Sequence, residues 1–342
     1  KNAAGADLWH HLQVASGQPV DFFMQDWVHQ EGFPLVGVKS VEENGRTYLN
    51  LSQKRCFSNA EKMADLGGGE KWQIPMQIRY GTKNGVKTHS FLMTDKTQRV
   101  ELPEKALWVF PNADSAGFYR LKFEDDALEA LLSGGLKDLS PVERACLVQD
   151  QWALVENGSL PIDSFMHVLA SFRHEDSHVV TQVLRERLVD LRDRVVGPDD
   201  REDLANFSRW LLKPQIDELG FEPKEGQSPA DASRRADVFW ILGYVGRDQG
   251  ILAEAKRQRA LENQNPAAID PNIAGTIVRL CSLDAKPDTL DDFVAAYETR
   301  RKAGASPELQ DRYREAWTAF EGPQCMAKLT SFILDGTVTQ EN

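Results

Sequence analysis

The stretch that most limits the fold is Asp26-Trp27-Val28-His29-Gln30-Glu31-Gly32-Phe33-Pro34-Leu35-Val36-Gly37-Val38. Before it, Val20, Phe23, Met24 and Trp27 recur at helical spacing; after it, Leu35, Val36 and Val38 open a run of strand-like segments. Gly32 can take the positive φ that ends a helix, and Pro34 forbids that helix from continuing. The chain therefore changes architecture within a few residues, and any fold must place a helical lead-in directly against a β layer.

Three regions follow. Residues 1–31 read as a helical lead-in broken at Gly17-Gln18-Pro19. Residues 32–123 carry the strand period: Trp72, Ile74, Met76, Ile78 and Tyr80 alternate with Gln73, Pro75, Gln77 and Arg79. Pro75 cannot donate to a ladder, so it belongs at an edge or where its strand has a free side. Asn44-Gly45 and Asn84-Gly85 suit two-residue hairpin turns with positive φ. Further strands are expected near Arg46–Gln53, Val86–Met93, Arg99–Leu102, Leu107–Phe110 and Phe118–Phe123, making a small antiparallel β-sandwich.

Residues 124–342 are helical in pattern. Ser140-Pro141, Ser228-Pro229 and Ser306-Pro307 each set an N-cap before a proline at the first helical position. Glu143 completes a capping box, and Asp270-Pro271 is a fourth start. Stops fit Gly158, Gly197, Gly220 and Gly322. Leu147, Trp152, Leu154 and Val155 give one helix its buried face; Val179, Val183, Leu184, Leu188 and Leu191 give another. Pro214 should kink or divide the helix around it. Some ten helices on short loops suggest an all-α superhelical solenoid of the HEAT or armadillo kind, with irregular repeats. The expected class is thus multidomain, β plus α.

The chain is similar to the C-terminal region of aminopeptidase N-like zinc metallopeptidases of the gluzincin class. Trp27, Gln30, Gly32, Phe33, Pro34, Leu35 and Val38 fit that family's join between catalytic domain and β-sandwich. Leu51-Ser52-Gln53-Lys54-Arg55-Cys56-Phe57, Trp72-Gln73-Ile74-Pro75, and Asn112 with Gly117-Phe118-Tyr119-Arg120-Leu121 follow in family order. The resemblance implies that residues 1–31 are the tail of a catalytic domain, 32–123 a bracing sandwich, and 124–342 a cap cut short at its C-terminus. Starting at Lys1 and ending on Thr337–Asn342, the chain has the look of a piece of a longer protein.

Composition narrows the function classes. The 342 residues carry a net charge of −12, which argues against a nucleic-acid partner or an anionic membrane surface. No apolar run reaches the length of a spanning helix. Cys56, Cys146, Cys281 and Cys325 are scattered and form no Cys-x-x-Cys pair, as isolated thiols do. Compartment is not legible, with a cytoplasmic setting weakly preferred.

One motif tempts a metal reading. His174-Glu175-Asp176-Ser177-His178 fits His-Glu-x-x-His, which on a helix sets two zinc ligands on one face beside a carboxylate base. The resemblance argues against it. The family's third ligand stands nineteen positions on, where this chain has Gly197; its Gly-x-Met-Glu-Asn motif is absent; and its zinc motif precedes the sandwich. Asp176 and Ser177 are good caps, so the segment reads as a turn between helices, with His174 outside the second. His174, Glu175 and His178 are therefore taken as a chance match, and no catalytic or metal residue is assigned. His10, His11 and His29 lack a third ligand.

Tyr119 and Arg120 could contact substrate at a cavity edge, or Arg120 could pair with an acid across the junction. The runs Arg185-Glu186-Arg187 with Arg192 and Arg194, Lys256-Arg257-Gln258-Arg259, and Arg234-Arg235 read as solvated helix faces, with a peptide-carboxylate site possible for one arginine. Gly67-Gly68-Gly69 lacks the Lys-Ser/Thr of a phosphate loop.

The resemblance implies the non-catalytic part of an enzyme that removes N-terminal residues from peptides. The chain would brace its own catalytic domain and cap the cavity that admits peptide substrates, with zinc held in that other domain and no cofactor here. The alternative is a stand-alone peptide- or protein-binding α-solenoid scaffold.

Overall fold

A computed structural model describes residues 3–58, 70–124, 126–284, 286–320 and 322–334. Gly67-Gly68-Gly69 and Thr337–Asn342 lie outside the described residues. The chain divides into two compact units, Lys1–Ser171 and Phe172–Asn342.

The first unit opens with α1 (Gly5–Ser16) and α2 (Val20–His29), separated by Gly17 at φ 67°. Among the described residues seven strands follow: β1 (Pro34–Glu43), β2 (Arg46–Arg55), β3 (Ile74–Thr82), β4 (Gly85–Met93), β5 (Thr97–Glu101), β6 (Trp108–Phe110) and β7 (Arg120–Phe123). They form two small sheets, ordered β5-β2-β1-β7 and β4-β3-β6. Trp72, Ile74, Met76, Ile78 and Tyr80 are buried on one face, as their alternation requires. Pro75 pairs with Leu92 on one side, while β6 reaches only Arg79–Gly81 on the other, so the proline sits on a free side of a central strand.

Two expectations need correction. The β layer is not wholly antiparallel: β7 runs parallel to β1, with Leu35 opposite Arg120 and Val38 opposite Phe123. The excursion through the second sheet between these strands is long enough for the crossover that parallel pairing demands. The second concerns the Asn84-Gly85 turn. Asn44 and Gly45 both take positive φ, but at the other hairpin only Gly85 does. There Thr82 Oγ1 donates to the Gly85 carbonyl and accepts from the Asn84 N–H, so a side chain shapes the turn.

Helices α3 (Ala127–Ala130), α4 (Pro141–Glu156) and α5 (Ile162–Ala170) complete the first unit. Ser140 and Glu143 form the expected capping box. Glu143 is fully buried, and beyond the box its carboxylate accepts from Arg79 Nε at 2.6 Å and Asp114 N–H at 2.8 Å. One acid thus joins β3, the loop before β7 and the start of α4.

The second unit is helical: α6 (His178–Asp190), α7 (Arg201–Leu219), α8 (Pro229–Trp240), α9 (Gln249–Gln264), α10 (Pro271–Cys281), α11 (Pro287–Lys302), α12 (Pro307–Ala316) and α13 (Pro323–Leu334). Ser228, Ser306 and Asp270 cap their helices through side-chain oxygens. Gly158 and Gly220 adopt the positive φ expected of stops. Gly197 is extended and leads into the next turn, and Gly322 stands just ahead of α13. Helix α7 runs undivided through Pro214, held by Leu211, Leu212, Gln215 and Leu219 buried on both sides of it. On α6 the buried face falls at Val180, Val183, Leu184 and Leu188, while Val179 is exposed. Starting the helix at His178 sets that phase.

Candidate functional site

The family-like stretches of the first unit converge in space. Trp27 Nε1 donates to the Gln73 carbonyl at 3.1 Å, and Gln30 Nε2 to the Lys71 carbonyl at 2.9 Å. Gln53 exchanges two bonds of 2.8 Å with the Trp72 backbone. Asn112 clasps Gly117 through two side-chain bonds, and the Tyr119 ring lies where a Cβ on Gly117 would stand. Lead-in and strands are thereby locked to each other by side-chain amides and an indole.

What this frame presents outward is apolar. Helix α1 buries no residue at all. Leu8, Leu12, Phe22 and Val28 stand open to solvent, and Phe118, 71% exposed, packs its ring 5.3 Å from Phe33 and 6.3 Å from Trp27. A cavity of about 360 Å³ beside them is walled by Phe23, Met24, Trp27, Phe118 and Tyr119.

Tyr119 is buried at this cavity's edge and donates its hydroxyl to the Pro111 carbonyl at 2.6 Å; burial pushes its phenol far up. Arg120 Nη1 donates to Asp150 Oδ1 at 2.9 Å, so it pairs with an acid on α4. Burial works against the Arg120 charge, but Asp150 outweighs it and holds the guanidinium above its ordinary value. Asp150 is wholly buried. Burial raises its carboxyl to about 6 despite Arg120 and the Leu121 N–H that bonds it. Cys146, beside Asp150, is pushed up by burial to about 12. A thiol held in that state is a poor nucleophile at neutral pH.

His174 and His178 are not brought together with a third ligand. Helix α6 begins at His178, and His174 is exposed outside it. The buried Glu175 accepts from the Asp176 and Ser177 N–H groups at 3.1 and 2.8 Å just ahead of the helix, while Ser177 stands at the N-cap position without a side-chain cap bond. Among the described residues no three His, Cys, Asp or Glu side chains gather in a cluster that could hold a metal ion.

The arginine runs divide. Arg257 is exposed, as expected of a solvated face. Arg234 and Arg235 are buried instead. Arg234 reaches the Asp176 carbonyl at 2.9 Å and Glu218 at 2.8 Å, and Arg235 bonds Asp270 and Gln227. They tie α8 to neighbouring turns. A column not read from the sequence passes from Arg279 over Trp240 to Tyr244 and Arg192. The four-residue spacing of Trp240 and Tyr244 was its only visible sign.

The model of the ERAP1-like C-terminal domain matches residues 108–342. The chain belongs to this family. This ERAP1-like C-terminal domain chain is 27% identical to aminopeptidase M1 of Arabidopsis thaliana over 365 residues, covering 100% of itself and 40% of that protein. It is 30% identical over 262 residues to puromycin-sensitive aminopeptidase of Caenorhabditis elegans, covering 73% of itself and 27% of that relative. Mitochondrial aminopeptidase 2 of Saccharomyces cerevisiae is 25% identical over 349 residues, with 100% of this chain and 35% of the relative aligned. The chain thus corresponds to the C-terminal region of aminopeptidase N-like enzymes and spans well under half the length of these relatives. No helix among the described residues is long and apolar enough to cross a membrane.

Proposed function

We propose that the chain is the non-catalytic brace and cap of a zinc aminopeptidase that removes N-terminal residues from peptides. The observation that carries this reading is the uncovered apolar face of α1, α2 and Phe118. Burying a large aliphatic or aromatic side chain is worth about 1.5–3 kcal/mol, so a helix that buries none of its own calls for a partner surface. A catalytic domain joined to the lead-in would cover it. On this reading the two sheets pack as a sandwich beneath that domain, and α6–α13 form a solenoid-like cap that limits which peptides enter. The reacting groups, zinc included, belong to the other domain. This chain's residues contribute shape and support.

The test uses Leu8→Glu with Phe22→Glu, both at exposed positions. In the chain alone the pair should leave the melting temperature unchanged and reduce binding of an apolar dye. In the full natural polypeptide it should destabilise the zinc-bearing part and lower peptide cleavage. An unaltered full-length enzyme, or a reading frame with no domain ahead of the lead-in, would sink the proposal. Metal analysis of the chain alone should find no tightly held zinc that depends on His174.

A further inference from the structure

The free edges of the two sheets are unequal. Strands β5, β7 and β6 end their sheets in runs of 5, 4 and 3 residues, whereas β4 ends its own as a strand of 9, Gly85–Met93. Short edges guard against pairing with another chain; a long one with no proline and a single lysine does not. The direction of its backbone groups follows from β3. The Gly81 carbonyl accepts from the Leu107 N–H at 2.8 Å, so Gly81 faces β6, and by alternation Tyr80, Ile78 and Met76 face β4. Their partners Lys87, His89 and Phe91 therefore bond β3, while Val86, Thr88, Ser90 and Leu92 point their N–H and carbonyl groups outward. Among the described residues nothing bonds those groups of Val86, Thr88 and Ser90. The Leu92 carbonyl has a distant neighbour, Gln98 Nε2 at 3.5 Å. The Val86 side chain is exposed as well.

What fits such an edge is another strand, and the sequence of β4 is complementary to itself. Laid antiparallel on a second copy about a two-fold axis at His89, it sets Val86 against Leu92 and Thr88 against Ser90, the residues whose backbone groups point outward. Apolar meets apolar and hydroxyl meets hydroxyl. On the other face Lys87 comes beside a Phe91 ring, a cation on an aromatic. Beyond each strand end, the hairpin tip with Lys83 comes to the turn that carries Asp95 of the second copy. Lys83 has no ion-pair partner among the described residues, and Asp95 stays exposed although it bonds Lys71 at 3.4 Å. Moving the axis to Thr88 or Ser90 instead sets Val86 against Ser90 or Thr88 against Leu92, and leaves strand residues unpaired.

We propose that β4 is the docking edge for a second copy of this chain, the two strands pairing antiparallel about His89 so that the second sheets of both copies run on as one. The contact uses the same residues on each side and so closes at two copies. It makes no use of α1, α2 or Phe118 and does not depend on the reading above.

Sedimentation equilibrium of the whole chain should find monomer and dimer with a Kd on the order of micromolar. Because the apolar lead-in is also able to bring copies together, the measurement is repeated on Leu8→Glu with Phe22→Glu, where the dimer should persist. Ser90→Pro removes an outward N–H and leaves the bonds to β3 in place, so it should weaken the dimer at least about tenfold while the melting temperature holds. A second variant does not rely on tolerance of proline. His89→Cys sets two thiols across the axis, in the closely spaced pair of an antiparallel ladder, and mild oxidation should give a covalent dimer. Ser90→Cys, off the axis, should not. A chain still monomeric at about 100 μM, a dimer abolished by the lead-in pair, or no cross-link through His89→Cys overturns the proposal. Capture of an extended peptide along β4 in place of a second copy overturns it too.

Discussion

Arg120 Nη1 and Asp150 Oδ1 lie 2.9 Å apart, and the other oxygen of Asp150 takes the Leu121 N–H. A single carboxylate on α4 thus holds β7 by both side chain and backbone. The Asp150 carboxyl rises from 3.8 to about 6, and burial is the main cause. Between those values the native chain keeps a proton that the unfolded chain has released. Its contribution to stability is therefore full below about pH 4, is lost as pH rises through about 6, and stays constant above. The size is on the order of 3 kcal/mol. Denaturant unfolding from pH 4 to pH 7 should show the native chain losing ground to Asp150→Asn. A gap independent of pH would contradict this.

Removing Arg120 tests the same pair from its other side. Arg120→Leu leaves a buried carboxylate unmatched and should cost on the order of 3 kcal/mol at pH 7. The cost should shrink toward pH 4, where that carboxyl is protonated. Urea midpoints at both values check it.

Glu262 is a second buried anchor. It accepts from Arg300 at 2.9 Å and Arg312 at 3.1 Å, and Tyr313 donates to it at 2.5 Å. Glu262→Ala strands two arginines in the second unit and should destabilise by about 3–5 kcal/mol. Tyr313→Phe removes one bond of the set and should cost roughly 1–2 kcal/mol. The order of the two melting temperatures is the readout.

Gly81 owes its identity to Trp108, whose indole occupies the space a Cβ would need. Trp108 is buried against Gly135 as well. Gly81→Ala should cost on the order of 2 kcal/mol through overpacking. Gly45→Ala, with open space but φ 77°, should cost less than that.

Helix starts were legible because Ser140, Ser228, Ser306 and Asp270 announce themselves through local bonding that needs no tertiary partner. The face of β3 was legible for the same local reason. What escaped depends on distant residues. Asp150, Arg234 and Arg235 look like surface charges on amphipathic helices, and their burial follows from partners tens of residues away. The Arg279–Trp240 stack joins two helices with no sequence signal linking them. The direction of β7 likewise reflects which strand waits beside it.

That last arrangement has a kinetic side. Because β7 slots beside β1, the first sheet cannot finish until Arg120–Phe123 has left the ribosome, some eighty residues after β1. Until then the Leu35–Val38 edge is a bare row of donors and acceptors, open to mispairing. Closing so distant a contact is slow. The nascent chain therefore passes through a window in which its earliest strand is its most vulnerable one.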